Sequence, residues 1–113
     1  MRERESVELI YENQELNIKI KGDIDHHSAK RVRELIDAAI FSKKPYKIYM
    51  DLSEVEFMDS SGLGLILGRY TNATEIGAHF LLCNPNKRVK KILSLAGIER
   101  IMDIEGENTD EAY

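Results

Sequence analysis

The chain has no tryptophan, a single cysteine and no long apolar run. With Cys83 alone, no intrachain disulfide can form, so a reducing compartment is expected. The longest apolar stretch, around residues 63–67, falls far short of the roughly 20 residues a membrane-spanning helix needs. The opening residues, MRERESVELIYEN, are charged and contain no apolar segment of the kind a secretion signal requires. A cytoplasmic location away from membranes is the expectation from these absences. A basic excess is also missing. Sixteen Lys and Arg stand against 20 Asp and Glu, giving a formal net charge of −4 with both signs spread along the chain. A general nucleic-acid binder carries the opposite balance. Neither an internal repeat nor a low-complexity tract is visible. What remains is 113 residues, 42% hydrophobic and 32% charged, the composition of one soluble domain with a single core.

Periodicity organises that domain. Residues 7–11 and 16–21 alternate apolar and polar side chains, with Leu16, Ile18 and Ile20 on one face, as half-buried strands do. Asn13-Gln14 between them suits a hairpin turn. In the next segment, GDIDHHS, Gly22 ends the strand and Asp25 or Ser28 can cap a helix. From Ala29 the apolar residues fall at 29, 32, 35, 36, 39 and 40, which predicts an amphipathic helix to about Phe41, stopped by Lys43-Lys44-Pro45. Residues 46–52 read as a central strand, 53–58 as a connection, and a second helix is expected from about Ser60 to about Gly77. The run AHFLLCN is again strand-like. Asn84 or Asn86 can cap a third helix, with Pro85 in its first turn and Val89, Ile92, Leu93 and Ala96 as its buried stripe. IERIMDI suggests a short last strand, and an acidic, frayed tail is expected from about residue 105. The order β-β-α-β-α-β-α-(β) means a mixed α/β sheet whose parallel strands are joined by right-handed crossovers. The three helices would cover one face and leave the other partly exposed.

The segment FMDSSGLGLILG, residues 57–68, carries the chemistry. Its glycines are spaced G-x-G-x-x-x-G, one residue too long for a dinucleotide fingerprint, and they follow a connection too long for a tight strand-to-helix turn. Gly64 and Gly68 share a helix face and would let the helix lie close to a sheet or a partner. A hydrolase elbow would read G-x-S-x-G, which DSSGLG does not, and nothing places His26, His27 or His79 beside a serine. Asp23, Asp25, His26 and His27 cluster within five residues but lack the ligand set of a closed zinc site. They read as a solvated loop with a helix cap. Lys87, Arg88, Lys90 and Lys91 read as an outer helix face. At Asp59-Ser60-Ser61, Asp59 or Ser60 can cap the helix. A serine at a helix N-terminus is also a good phosphate acceptor, because the dipole and free N–H groups favour the added charge. These arguments leave open which serine is used.

FMDSSGLGLILGRY and, upstream, GDIDHH resemble the signature segments of the bacterial anti-sigma factor antagonists, the founding family of STAS domains, which includes sporulation regulators. The segments stand in the family's order and separation, and the resemblance covers essentially the whole chain. It implies a single STAS domain over 1–113, with a mixed four- to five-stranded sheet and helices packed mainly on one face. It also implies that the unphosphorylated chain binds an anti-sigma factor that is a serine kinase, carrying ADP or ATP, and so releases the sigma factor. The kinase would phosphorylate Ser60, and a serine phosphatase would reverse this. Asp59, Ser61, Gly62 and Leu63 map onto the docking surface, and Asp23 onto a loop that also faces the kinase, while the other glycines and Leu65 shape the helix. On this reading the chain is a monomer and not an enzyme. It has no catalytic residue, metal or cofactor of its own and binds neither nucleic acid nor membrane. The alternative is a STAS regulator in a different partner-switching or stress-signalling complex. A serine or nucleotide hydrolase is the competing class.

Overall fold

Three crossovers build most of the molecule. The computed structural model describes residues 6–106. It runs β1 (Ser6–Glu12), β2 (Glu15–Lys21), α1 (His26–Lys43), β3 (Lys47–Glu54), α2 (Ser60–Glu75), β4 (His79–Cys83), α3 (Lys87–Leu95) and β5 (Asp103–Glu105), with a 3-10 turn at Ile98–Arg100. The strands form one sheet in the order β1-β2-β3-β4-β5. β1 is antiparallel to β2, and the remaining neighbours are parallel.

The hairpin turns at Asn13-Gln14 as expected, with φ of 55° and 65°, the two positive values that a two-residue turn compatible with sheet twist requires. Leu16, Ile18 and Ile20 of β2 and Ile48, Met50 and Leu52 of β3 point to one side, where they bury against Val32, Ile36 and Ile40 of α1 and Leu65, Ile66 and Ala73 of α2. The opposite side has no helix among the described residues. There Asn17 and Lys21 are exposed and Lys19, Tyr49 and Asp51 half-buried, held by contacts such as Lys21–Glu8 at 3.2 Å and Lys19–Glu54 at 3.4 Å. Two of the helices on the covered side, α1 and α2, are tied by polar groups as well. The Arg69 guanidinium, 5% exposed, lies 2.8 Å from the Asp37 carboxylate, which also accepts from Asn72 Nδ2 at 2.8 Å.

Several expected boundaries move, each for a local reason. α1 begins at His26 rather than Ala29, because Asp25 is the cap and takes the Ser28 N–H at 2.9 Å. It ends at Lys43, where Lys44 turns left-handed. Pro85 stands outside α3, before its cap Asn86, and Ala96 is an exposed C-terminal cap residue rather than part of the buried stripe. IERIMDI is not one strand. Gly97 at φ 77° starts a tight turn that buries Ile98 and Met102, and only Asp103–Glu105 pairs with β4. Glu105, the expected start of the tail, is in the sheet, and residues 107–113 lie outside the described residues.

Candidate functional site

Parallel strands joined by helices put every strand C-terminus and the next helix N-terminus at one end of the sheet. Three connections meet there: residues 22–25 after β2, 55–59 after β3 and 84–86 after β4. Each ends in a side-chain cap. Asp25 caps α1, Asp59 caps α2 and Asn86 caps α3. The free N–H groups of three helix starts therefore gather on one surface, each bringing about half a positive elementary charge.

Asp59, not Ser60, is the cap of α2. Its carboxylate accepts the Ser61 N–H at 2.8 Å, and its carbonyl accepts from Leu63 N at 3.1 Å. Ser60 is thus the first helical residue, and it is exposed. Ser61 is half-buried one position further on. No histidine stands within hydrogen-bond distance of either hydroxyl among the described residues. Beneath them, Val55 and Met58 are 1% and 5% exposed and anchor the connection in the core. Phe57 between them points outward and is 49% exposed.

The residues expected at the docking surface are not alike. Asp59, Ser60 and Ser61 stand together at the start of α2, and Leu63 is partly packed on the core. Gly62 faces inward, where a Cβ would lie 3.0 Å from Met58 Cβ, so it shapes the surface by letting α2 settle onto Met58. Within the chain, the close approach is found here rather than at Gly64 and Gly68. A Cβ at either of those positions would meet nothing within 4 Å. They line an open groove of about 400 Å³ between α1 and α2, together with His26, Arg33, Ser61 and Arg69.

Asp23 reaches this site through the backbone. Its Oδ1 accepts the N–H groups of Glu56 and Phe57 at 3.0 and 3.1 Å. Asn86, read from the sequence only as one of two possible caps, does more. Its Nδ2 donates to the carbonyls of Val55 and Glu56 at 3.2 and 3.3 Å, while its Oδ1 takes the Val89 N–H at 2.7 Å. No spacing rule reveals that contact, because it joins residues 30 and 31 positions apart. Of the neighbouring loop, Asp25 is engaged as a cap, and the two Ser28 hydrogen bonds hold its carboxyl below the usual range. Among the described residues no three His, Cys, Asp or Glu converge as metal ligands. Cys83 is not poised as a nucleophile: burial, with Asp51 and Glu105 nearby, pushes its thiol up to about 11.

Residues 5–112 match the STAS domain family. The chain belongs to that family. An anti-sigma F factor antagonist from Paenibacillus polymyxa is 36% identical over 98 residues, covering 87% of this chain and 84% of the relative. An anti-sigma-B factor antagonist from Listeria monocytogenes is 27% identical over 90 residues, covering 80% and 78%. Among solved structures, the STAS fold described above matches the anti-sigma factor antagonist SpoIIAA in its unphosphorylated form, with a TM-score of 0.79 at 29% identity, over 95% of this chain and 92% of that one. The phosphorylated form of SpoIIAA, from Bacillus, matches with a TM-score of 0.72 at 28% identity, over 95% and 96%. No helix of this STAS domain is long and apolar enough to cross a membrane, among the described residues.

Proposed function

We propose that this chain is an anti-sigma factor antagonist whose binding to an anti-sigma factor kinase is switched off by phosphorylation of Ser60. The observation that carries the reading is the placing of Ser60: an exposed hydroxyl on the first turn of α2, directly after the cap, on the surface where three helix N-termini gather. The names of the relatives and the existence of SpoIIAA in phosphorylated and unphosphorylated forms support it.

The physics of the switch is local. A phosphate of about −1.5 to −2 charges at a helix N-terminus is stabilised by the dipole and the free amides, so the fold can carry it. The same charge on a docked surface has to shed water and meet the acidic Asp59 beside it, which disfavours the complex. A penalty of about 3 kcal/mol weakens binding roughly 100-fold. The chain acts as substrate and switch, not as a catalyst: the kinase supplies the nucleotide and a serine phosphatase resets the serine. The test is affinity for the cognate kinase in the presence of ADP or ATP. Ser60→Ala should bind as the unmodified chain does, and Ser60→Asp roughly 100-fold more weakly. Equal binding by the two would overturn the switch. Phosphate located by mass spectrometry on Ser61 would keep the switch and move the acceptor.

A further inference from the structure

We infer that Asp23 and Asn86 form a two-sided clamp on the β3–α2 connection and act as positioning residues that hold Ser60 where a kinase can use it. This rests on the reading of Ser60 as the phosphoacceptor.

Residues 55–59 have no ladder or helix of their own; the Val55 N–H turns back to Leu52 O and the Asp59 carbonyl serves α2, while the groups at Glu56 and beside it need partners from outside. They find them on opposite sides. Asp23, from the end of β2, accepts the N–H groups of Glu56 and Phe57. Asn86, from the end of β4, donates to the carbonyls of Val55 and Glu56. Glu56 is therefore held by its N–H from one loop and by its carbonyl from the other. The amide of Asn86 has one workable orientation. Its oxygen must face the Val89 N–H at 2.7 Å, which turns its NH₂ toward the connection. Asn86 is 5% exposed, so it cannot do this work by touching a partner. With Val55 and Met58 seated in the core below, the chain enters α2 along a fixed path, and Ser60 inherits its position from that path.

Phosphoryl transfer depends on presenting the attacking oxygen in line, and misplacement by about 1 Å can cost 100-fold. Loosening the clamp should thus lower kcat of the kinase reaction at saturating protein. The two positions demand different chemistry. Position 23 needs only an acceptor, so Asp23→Asn keeps the clamp and Asp23→Ala removes it. Position 86 needs an acceptor for Val89 and a donor for the loop. Asn86→Ser retains a capping oxygen but loses the Nδ2 amide that reaches the two loop carbonyls, leaving a single O–H on a shorter side chain.

The experiment measures kcat and KM for phosphorylation by the cognate kinase with ATP, alongside amide hydrogen exchange at Glu56 and Phe57 in the free protein. Asp23→Ala and Asn86→Ser should each lower kcat about tenfold, and Asp23→Ala should speed exchange at both amides. Asp23→Asn should stay within about twofold of wild type in kcat and exchange. If Asp23→Asn is as impaired as Asp23→Ala in kcat while its amides stay protected, the carboxylate charge meets the kinase and the clamp is overturned. Unchanged exchange in Asp23→Ala overturns it as well, as does wild-type kcat in a folded Asn86→Ser. Exchange that responds as expected, with wild-type phosphate found away from Ser60, overturns the phosphoacceptor reading and leaves the clamp.

Discussion

The two ends of the parallel strands are held by different means. Where β2, β3 and β4 finish, side chains are added to backbone bonds from Gly22 N to Glu54 O and from Asn84 N to Glu105 O: Asp25, Asp59 and Asn86 cap three helices, and Asp23 with Asn86 grips the β3–α2 connection. Where those strands begin, the backbone closes on itself. Tyr46 N donates to Gln14 O at 3.0 Å, His79 N to Tyr46 O at 2.9 Å, and left-handed residues at Lys44 and Gly77 turn the chain out of α1 and α2. Side-chain pairs at this end, Tyr46–Glu15 and His79–Asp103, are exposed. The asymmetry follows from the crossovers. One end collects helix N–H groups, which short polar side chains satisfy. The other collects carbonyls, which turning backbone satisfies. A phosphoserine is electrostatically welcome only at the first end, and that is where Ser60 stands.

The sharpest way to break this contrast is Asn86→Ala. It strands the Val89 N–H and two carbonyls near the core, so unfolding free energy should fall by about 2–3 kcal/mol, read from the urea midpoint. A loss under about 0.5 kcal/mol, the size of an ordinary surface change, would mean that the side-chain fastenings at this end are ornamental.

A smaller effect separates neighbouring glycines of α2. Alanine is favoured over glycine in a helix interior by about 1 kcal/mol. Gly64→Ala should realise most of that gain, since its Cβ meets nothing within 4 Å. Gly62→Ala should lose it and more, because the new Cβ lies 3.0 Å from Met58 Cβ and 3.2 Å from Cγ. Thermal unfolding of the two variants checks the order. The reverse order, or equal shifts, would show that α2 is not seated on Met58.

The elements were legible wherever one face met the core. Alternation placed the first two strands, apolar runs the next two, a 3.6-residue period the first helix and end signals the second, and DSSGLG marked the candidate site at the start of α2. Misreadings fall where a single residue's conformation decides. The left-handed Gly97 converts the start of IERIMDI into a turn, and Asp25 draws His26 into α1. The packing of the glycines within the chain needed the fold for a related reason: sequence shows which of them share a helix face but not which one meets Met58. Asn86 was half legible. Its cap is a local pattern, whereas its grip on residues 55 and 56 depends on strand order, which brings the end of β4 beside the end of β3.

The smallest effect belongs to the other end of the sheet. His79 Nε2 and Asp103 Oδ2 are 3.0 Å apart, but their side chains are 56% and 66% exposed, so water and salt screen whatever attraction the contact provides. Asp103→Asn should change stability by less than about 0.5 kcal/mol, and by the same amount in low and high salt. The pairing of β5 with β4 does not depend on it, because Leu82 and Ile104 are register partners and the former is fully buried. Urea unfolding of the variant at two salt concentrations makes the measurement. A loss comparable with that of Asn86→Ala would place a side-chain fastening at the strand starts too, and the division of labour between the two ends would disappear.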